Sequence, residues 1–256
     1  VIDLHFHCLP GIDDGPKSWA DAVDLCRAAA ADGAETLVAT PHVLREDWAN
    51  EDPAVRDGLI LRLNTLLEGE PAILPGCEYF FSDEAIALFE RGGEGPLTGL
   101  NRSHYLLLEL PANASTRAVE SAFHELTLLG AVPVIAHPER HSLFRREPEV
   151  LARLVRGGAV AQITAASLLG HFGERAQAAC EEFFQRGLVS LVASDAHNLD
   201  RRPPSLAAAR ERVLRRWGRE AEQGLFVANP AAVVRSEPLP WTPAAASAAR
   251  QAGSAR

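Results

Sequence analysis

The sequence predicts an α/β fold, a distorted (β/α)7 barrel of the TIM-like kind. Three features carry this: short apolar, often β-branched runs, longer amphipathic stretches between them, and glycines at the joins. At 256 residues the chain matches the roughly 250 that one such barrel needs, so a single large domain is expected. The first strand reads Val1 to His7, and a helix follows from Ser18, a capping residue, to Asp32, closed by Gly33. Glu35 to Thr40 and Ala72 to Cys77 read as the second and third strands, and Tyr105 to Leu110 as the fourth. A helix from Ser115 to Leu129 ends at Gly130 and leads to the strand Val132 to Ala136. Pro148 to Arg156, stopped by Gly157 and Gly158, precedes Ala159 to Thr164, and Leu188 to Ala193 completes seven strands. Strictly alternating strands and helices without a hairpin signal imply parallel pairing with right-handed crossovers, and closure into a barrel removes the edges. Residues 1–236 are thus assigned to the barrel, and residues 237–256, rich in Ala, Ser and Pro without apolar periodicity, to a disordered tail.

Composition narrows the function classes. Thirty-four acidic against 25 basic residues give a formal charge of −9, which lacks the positive field of a nucleic-acid binder. No apolar run reaches membrane-span length, and a strand beginning at Val1 leaves no room for a signal peptide, so a cytoplasmic protein without membrane insertion is expected. Met is absent, consistent with an initiator trimmed or written as Val1. Cys8, Cys26, Cys77 and Cys180 form no C-x-x-C pair, so they read as buried or incidental thiols.

Five of the nine histidines fall at or just beyond the C-terminal ends of predicted strands: His5, His7, His42, His137 and His197. Asp13, Asp14, Glu78, Glu109 and Asp195 occupy equivalent places. A parallel barrel gathers these ends on one face, where active sites form. Imidazoles and carboxylates suit Mn, Fe or Zn, and a set this large exceeds the ligands of one catalytic ion, so two or three ions sharing bridging carboxylates are expected. His5 and His7, two apart on a strand, point to the same side. His141 is a weaker candidate, while His104, His124 and His171 read as structural.

These residues also carry a resemblance. Asp3-Leu4-His5-Phe6-His7-Cys8-Leu9-Pro10-Gly11-Ile12-Asp13-Asp14-Gly15-Pro16 is followed by Thr40-Pro41-His42, Gly76-Cys77-Glu78 and Leu108-Glu109-Leu110-Pro111. His137-Pro138-Glu139-Arg140 and Ser194-Asp195-Ala196-His197-Asn198 complete the series. Together they resemble the polymerase and histidinol phosphatase (PHP) superfamily. Within it, the Asp-Asp-Gly-Pro loop and the segment from Asn198 to Pro204 resemble the bacterial metal-dependent tyrosine phosphatases of capsule and exopolysaccharide clusters. The resemblance spans Val1 to about Val234 and implies one ion on His5, His7, Glu78 and Asp195, with Glu78 bridging. It implies a second ion on Glu109 and His137 and a third on Asp14, His42 and His197, with Mn the favoured metal and Fe, Zn or Co as alternatives.

It further implies that Arg140 and Arg202 bind phosphate, with Arg201 a rival to Arg202 on spacing alone. The expected reaction is hydrolysis of phosphotyrosine by a metal-bound hydroxide, with His42 and His197 near the departing phenolate. The implied substrate is the tyrosine-rich tail of a bacterial tyrosine kinase that controls polysaccharide export. Cys180 and Arg186 satisfy a bare C-x5-R spacing, but the bulky, partly acidic residues between them lie on a helical pattern and cannot cradle a phosphate. A histidinol-phosphate phosphatase, a nuclease of the same superfamily and a non-catalytic metal-binding barrel are the alternatives.

Overall fold

A break in the second and third predicted strands shapes the functional end of this protein. The computed structural model describes residues 1–45, 47–48, 50–82, 85, 87 and 99–243. β1 (Ile2–Phe6) leads through α1 (Trp19–Ala31) to β2 (Thr36–Ala39), which stops at Thr40-Pro41 before β3 (His42–Val43) resumes. After α2 (Pro53–Leu66), β4 (Ala72–Pro75) stops at Gly76-Cys77 and resumes as β5 (Glu78–Phe80). The expected seven strands are therefore nine segments. Pro41 has no N–H to give a ladder, so continuous pairing fails at the second strand, and Thr40 instead bonds Phe6 through its N–H (2.9 Å) and its hydroxyl (2.9 Å).

The remaining strands are β6 (Tyr105–Glu109), β7 (Val132–Ala136), β8 (Val160–Thr164) and β9 (Val189–Ala193), all parallel to their neighbours. One sheet runs β1-β2-β4 and the other β3-β5-β6-β7-β8-β9. The two meet where β9 returns to β1, through Asp195 N–H to His5 O (2.9 Å) and His7 N–H to Ala196 O (3.0 Å). Buried Asp3 reinforces that seam by accepting from Ser194 N–H at 3.1 Å.

The helices cover the outside. α3 (Thr116–Leu128), α4 (Ser142–Arg146), α5 (Pro148–Arg156), α6 (Ala165–Leu169), α7 (Glu174–Gln185), α8 (Leu206–Trp217), α9 (Arg219–Gln223) and α10 (Asn229–Val234) follow in order. Their ends match the sequence signals: the Ser18 and Ser115 side chains accept from backbone N–H groups of the first turns of α1 and α3, and Gly33 and Gly130 take positive φ just beyond. One core cluster joins Leu4, Val38, Leu107, Val134 and Leu191 from five strands. A second packs Phe6, Leu37 and Ala39 against Leu25 and Cys26 of α1, and a third joins α3, α5, α7 and α8 to the later strands.

Of the segment expected to be a disordered tail, the residues up to Pro243 are described. Its first part is docked: Trp241 packs against the core, its N–H donates to Asn229 Oδ1 (3.1 Å), and its carbonyl accepts from Asn229 Nδ2 (2.9 Å). Residues 244–256 of that segment lie outside the described residues. Among the described residues no helix is long and apolar enough to cross a membrane.

Candidate metal centre

Each strand delivers its polar residue to the C-terminal rim. His5 lies in β1, His7 one residue past it, His42 opens β3, Glu78 opens β5, Glu109 closes β6, and His137 follows β7. The interruptions in the second and third strands matter here, because they set His42 directly against Glu78 in the β3–β5 register. Phe6, between the two histidines, turns into the layer beneath α1, which leaves both imidazoles on the opposite side. His137 and Asp195 take φ of 35° and 54°, a left-handed conformation costing roughly 1–2 kcal/mol for a residue with a Cβ, so the fold spends stability to aim them.

Glu78 stands at the centre and is buried. Its Oε2 lies 3.3 Å from His5 Nε2, 3.4 Å from His7 Nε2 and 3.1 Å from His42 Nδ1, and its Oε1 lies 3.0 Å from His137 Nε2. Asp195 Oδ1 lies 3.2 Å from His5 Nε2 and 3.6 Å from His7 Nε2. His197 Nε2 and His42 Nε2 approach Asp14 Oδ1 at 3.0 and 3.5 Å. His42 Nδ1 is 3.7 Å from Glu109 Oε2. Three tight donor groups result: His7 with Asp14, His42 and His197; His5 with His7 and Asp195; and His42 with Glu78 and Glu109.

The hydrogen bonds behind these ligands determine what the centre needs. His5 Nδ1 donates to Gln162 Oε1 (2.8 Å), an oxygen that can only accept, and His7 Nδ1 donates to Asp13 Oδ2 (2.8 Å). Both Nε2 lone pairs therefore point inward, 3.1 Å apart, toward the oxygens of Glu78 and Asp195. Glu78 Oε2, Asp195 Oδ1, His42 Nδ1 and His197 Nε2 are buried without a hydrogen-bond partner. A buried cluster of acceptors requires a cation. Where a proton is the only cation at hand, burial opposes charging His7, yet Asp13 and Glu78 override it and push the ring up to about 10. Burial together with its neighbours brings His197 and His137 down to about 4, which leaves both as neutral donors suited to a metal.

Asp13 thus has a role distinct from that of Asp14. Its Oδ1 accepts from Gly15 N–H at 2.9 Å, and Gly15 is required there, since a Cβ would stand 2.7 Å from His7 O. Asp13→Asn is expected to weaken metal binding about 10- to 100-fold while preserving the fold, as losses of such outer partners do. Metal titration checks this, and unchanged affinity would remove Asp13 from the centre.

Arg140 and Arg202 converge on one atom, Asp195 Oδ2, at 2.6 and 2.7 Å, and Arg202 also reaches Asp14 Oδ2 at 3.3 Å. Of the two adjacent arginines, Arg202 reaches Asp195 and Asp14, and Arg201 is exposed. His141 is engaged structurally, its Nε2 donating to Pro111 O (2.9 Å) and its Nδ1 capping α4 at Leu143 N–H (3.3 Å). Cys180 is buried within α7, where desolvation pushes its thiol far up, and Arg186 pairs with Glu182 at 2.9 Å, so no phosphate loop exists there.

Three participants escaped the sequence reading. Gln162 orients His5, and Arg45 donates to Glu109 Oε2 at 3.0 Å and lies 3.2 Å from His42 Nε2. Trp48 stacks on His42 with ring centroids 5.2 Å apart. Gln162 carried a signal, as a polar residue inside an apolar strand; Arg45 and Trp48, in a loop, carried none. A cavity of about 540 Å³ opens beside the centre, walled by Arg45, Phe80, Glu109, His137 and Arg140.

A parallel barrel whose C-terminal rim holds buried imidazoles and carboxylates with unpartnered polar atoms, beside an arginine-lined cavity, defines a class, the barrel metallohydrolases. Comparison with known proteins makes this particular. Residues 1–235 match the family described as capsular polysaccharide synthesis, CpsB/CapC, and the chain belongs to that family. It is 39% identical over 205 residues, 79% of each chain, to the tyrosine-protein phosphatase YwqE of Bacillus subtilis (strain 168). It is 28% identical over 244 residues to the tyrosine-protein phosphatase CpsB of Streptococcus pneumoniae, covering 93% of this chain and 99% of that one. Among solved structures, work on YwqE and CpsB as unique metal-dependent tyrosine phosphatases gives a TM-score of 0.88 at 35% identity, over 94% of this chain and 97% of that one.

Proposed function

We propose that this protein is a metal-dependent protein-tyrosine phosphatase, acting in the cytoplasm on a bacterial tyrosine kinase that governs capsular or exopolysaccharide synthesis. The observation that carries the reading is the buried acceptor cluster around Glu78, set against a cavity that Arg140 enters. His5, His7, Glu78 and Asp195 would hold one ion, Glu109 and His137 a second with Glu78 shared, and Asp14, His42 and His197 a third. Nitrogen and oxygen donors without thiolate suit Mn, the metal we assign, and also Fe, Zn or Co. Among the described residues, five carboxylates, Asp13, Asp14, Glu78, Glu109 and Asp195, outnumber the three guanidiniums in contact with them, Arg45, Arg140 and Arg202. That balance would repel a phosphate dianion, whereas two or three divalent ions reverse it, which supports a multinuclear centre.

Bound divalent ions supply Lewis acidity, lowering the pKa of water and neutralising charge that develops on the phosphoryl oxygens. The protein's own groups do the rest. Arg140 and Arg202 orient the phosphate with their planar forks, and the cavity of about 540 Å³ has the volume to take a tyrosyl ring beside Phe80. His42 and His197 flank the ester oxygen. A departing phenolate has a pKa of about 10, so it needs little proton assistance, and these two rings act by position more than by acid strength.

The test is phosphate release from a phosphotyrosine peptide by metal-stripped protein, before and after Mn is added, with histidinol phosphate alongside. Activity that Mn restores, strongest on phosphotyrosine, is expected, and Cys180→Ser is expected to retain it. Restoration on histidinol phosphate alone would replace the substrate assignment, and turnover that ends with Cys180 while metal content holds would replace the mechanism.

A further inference from the structure

Beyond the rim of the centre, the arginines of this acidic protein gather in a second place. A cavity of about 480 Å³ lies between α4 and α7, lined by Ser142, Arg145, Arg146, Arg175 and Glu182. Its single carboxylate is already committed, because Glu182 pairs with Arg186 at 2.9 Å. Arg146 and Arg175 are exposed, and among the described residues neither has an ion-pair partner. In a chain of formal charge −9, where most arginines near α4 and α7 pair with a glutamate, two unpaired guanidiniums on one cavity form an anion-seeking surface.

This surface is continuous with the catalytic face. α4 is the shared wall: His141, at its N-terminal end, lines the 540 Å³ cavity, while Ser142, Arg145 and Arg146 line the second one. Arg145 ties the two together, donating to the backbone carbonyls of Glu139 and Arg140. The ring of Phe172 lies 4.9 Å from the Arg140 guanidinium carbon, is 39% exposed, and stands three residues before Arg175. An exposed aromatic ring and unpaired guanidiniums beside a site for one phosphate suit a polypeptide, not a small metabolite.

We propose that the α4–α7 cavity is a second anion subsite that recognises a negatively charged side chain, a carboxylate or a further phosphate, next to the target phosphotyrosine in the substrate protein. The subsite rests on the phosphotyrosine reading above and deepens it, by making substrate choice depend on flanking charge. Arg146 and Arg175 supply the recognition, and Arg145 keeps the subsite in register with Arg140. Their contribution falls on binding rather than on chemistry, since both line the α4–α7 cavity and neither lines the one beside the centre.

The experiment uses the metal-loaded full chain and its Arg146→Gln/Arg175→Gln double variant. Four substrates are compared: para-nitrophenyl phosphate, a phosphotyrosine peptide with neutral flanks, the same peptide with flanking Glu, and one with a second phosphotyrosine. The double variant should raise KM for the two anionic peptides by about five- to tenfold at low salt with kcat held, leaving the neutral peptide and para-nitrophenyl phosphate unchanged. A rise confined to the doubly phosphorylated peptide assigns the subsite to phosphate; a rise for both anionic peptides assigns it to anionic side chains at large. Equal KM for neutral and anionic peptides in both proteins overturns the subsite but leaves the phosphatase reading intact. Wild-type protein that hydrolyses no phosphotyrosine compound overturns that reading and the subsite with it.

Discussion

Glu78→Gln should lower phosphotyrosine turnover by about a thousandfold, ~4 kcal/mol of transition-state stabilisation, and should cost the protein at least part of its metal. The substitution keeps shape and removes charge at the point where His5, His7, His42 and His137 all lie within 3.0–3.4 Å of one carboxylate. A shared ligand has the widest reach of any in the centre. Thermal unfolding separates this effect from misfolding. Without metal, the variant should still unfold cooperatively but below wild type, because buried His5 and His7 lose the carboxylate that counters their charge. With metal, wild type should gain stability by mass action and the variant should gain less. Elemental analysis and turnover of para-nitrophenyl phosphate complete the check. Full metal content with wild-type turnover would take Glu78 out of the proposed ligand set.

Glu78 also illustrates why so much of the candidate centre is legible in the sequence. A parallel barrel fixes one functional face, and side-chain alternation fixes which residues near each strand end reach it, so polar residues at those positions stand out against apolar strands. His5 and His7 follow from alternation alone, and Phe6 between them is the expected residue for the helix-facing side. The division of labour between Asp13 and Asp14 does not follow, because neighbours in a loop have no periodicity. It depends on Asp13 accepting from Gly15 and His7 while Asp14 reaches His42 and His197. Arg45 is hidden for the same reason: three residues beyond His42, it is one charged group among several in a connecting segment until the fold sets it on Glu109.

The fold itself is legible where periodicity and caps agree. α1 and α3 begin after their predicted serines and end before their predicted glycines. α2 left a weaker trace, since Val55 and Leu61 are exposed and its inward side includes Arg56. Its burial comes from tertiary packing of Ile60 and Leu63, which no local pattern announces. Trp241 likewise packs against the core with its backbone held by Asn229, twelve residues earlier, which bonds both its N–H and its carbonyl. Composition around it says tail, and a single aromatic outweighs that locally.

Arg140→Ala and Arg202→Ala should each lower kcat/KM on phosphotyrosine by about 10²- to 10³-fold at saturating metal, and their effects should not add. Both guanidiniums grip Asp195 Oδ2, so each already counterbalances the same carboxylate, and removing one leaves the other to hold it. The double variant should therefore lose more than the product of the single losses, because no guanidinium remains to hold Asp195. Arg140→Lys should recover little, since an ammonium restores charge without the fork that can serve Asp195 and a phosphate oxygen together. The two sites also differ in support. Arg140 lies against Phe172 and its backbone is tied down by Arg145, whereas Arg202 reaches the centre from the segment before α8 and bridges to Asp14. Loss of Arg202 should thus disturb the Asp14 side of the centre as well and raise the metal concentration needed for activity, as the proposed third ion would require, while loss of Arg140 should raise the inhibition constant of inorganic phosphate with metal dependence unmoved. Strict additivity of the two losses would mean that the arginines serve separate anions, and the shared grip on Asp195 would then be a feature of the metal-free centre alone.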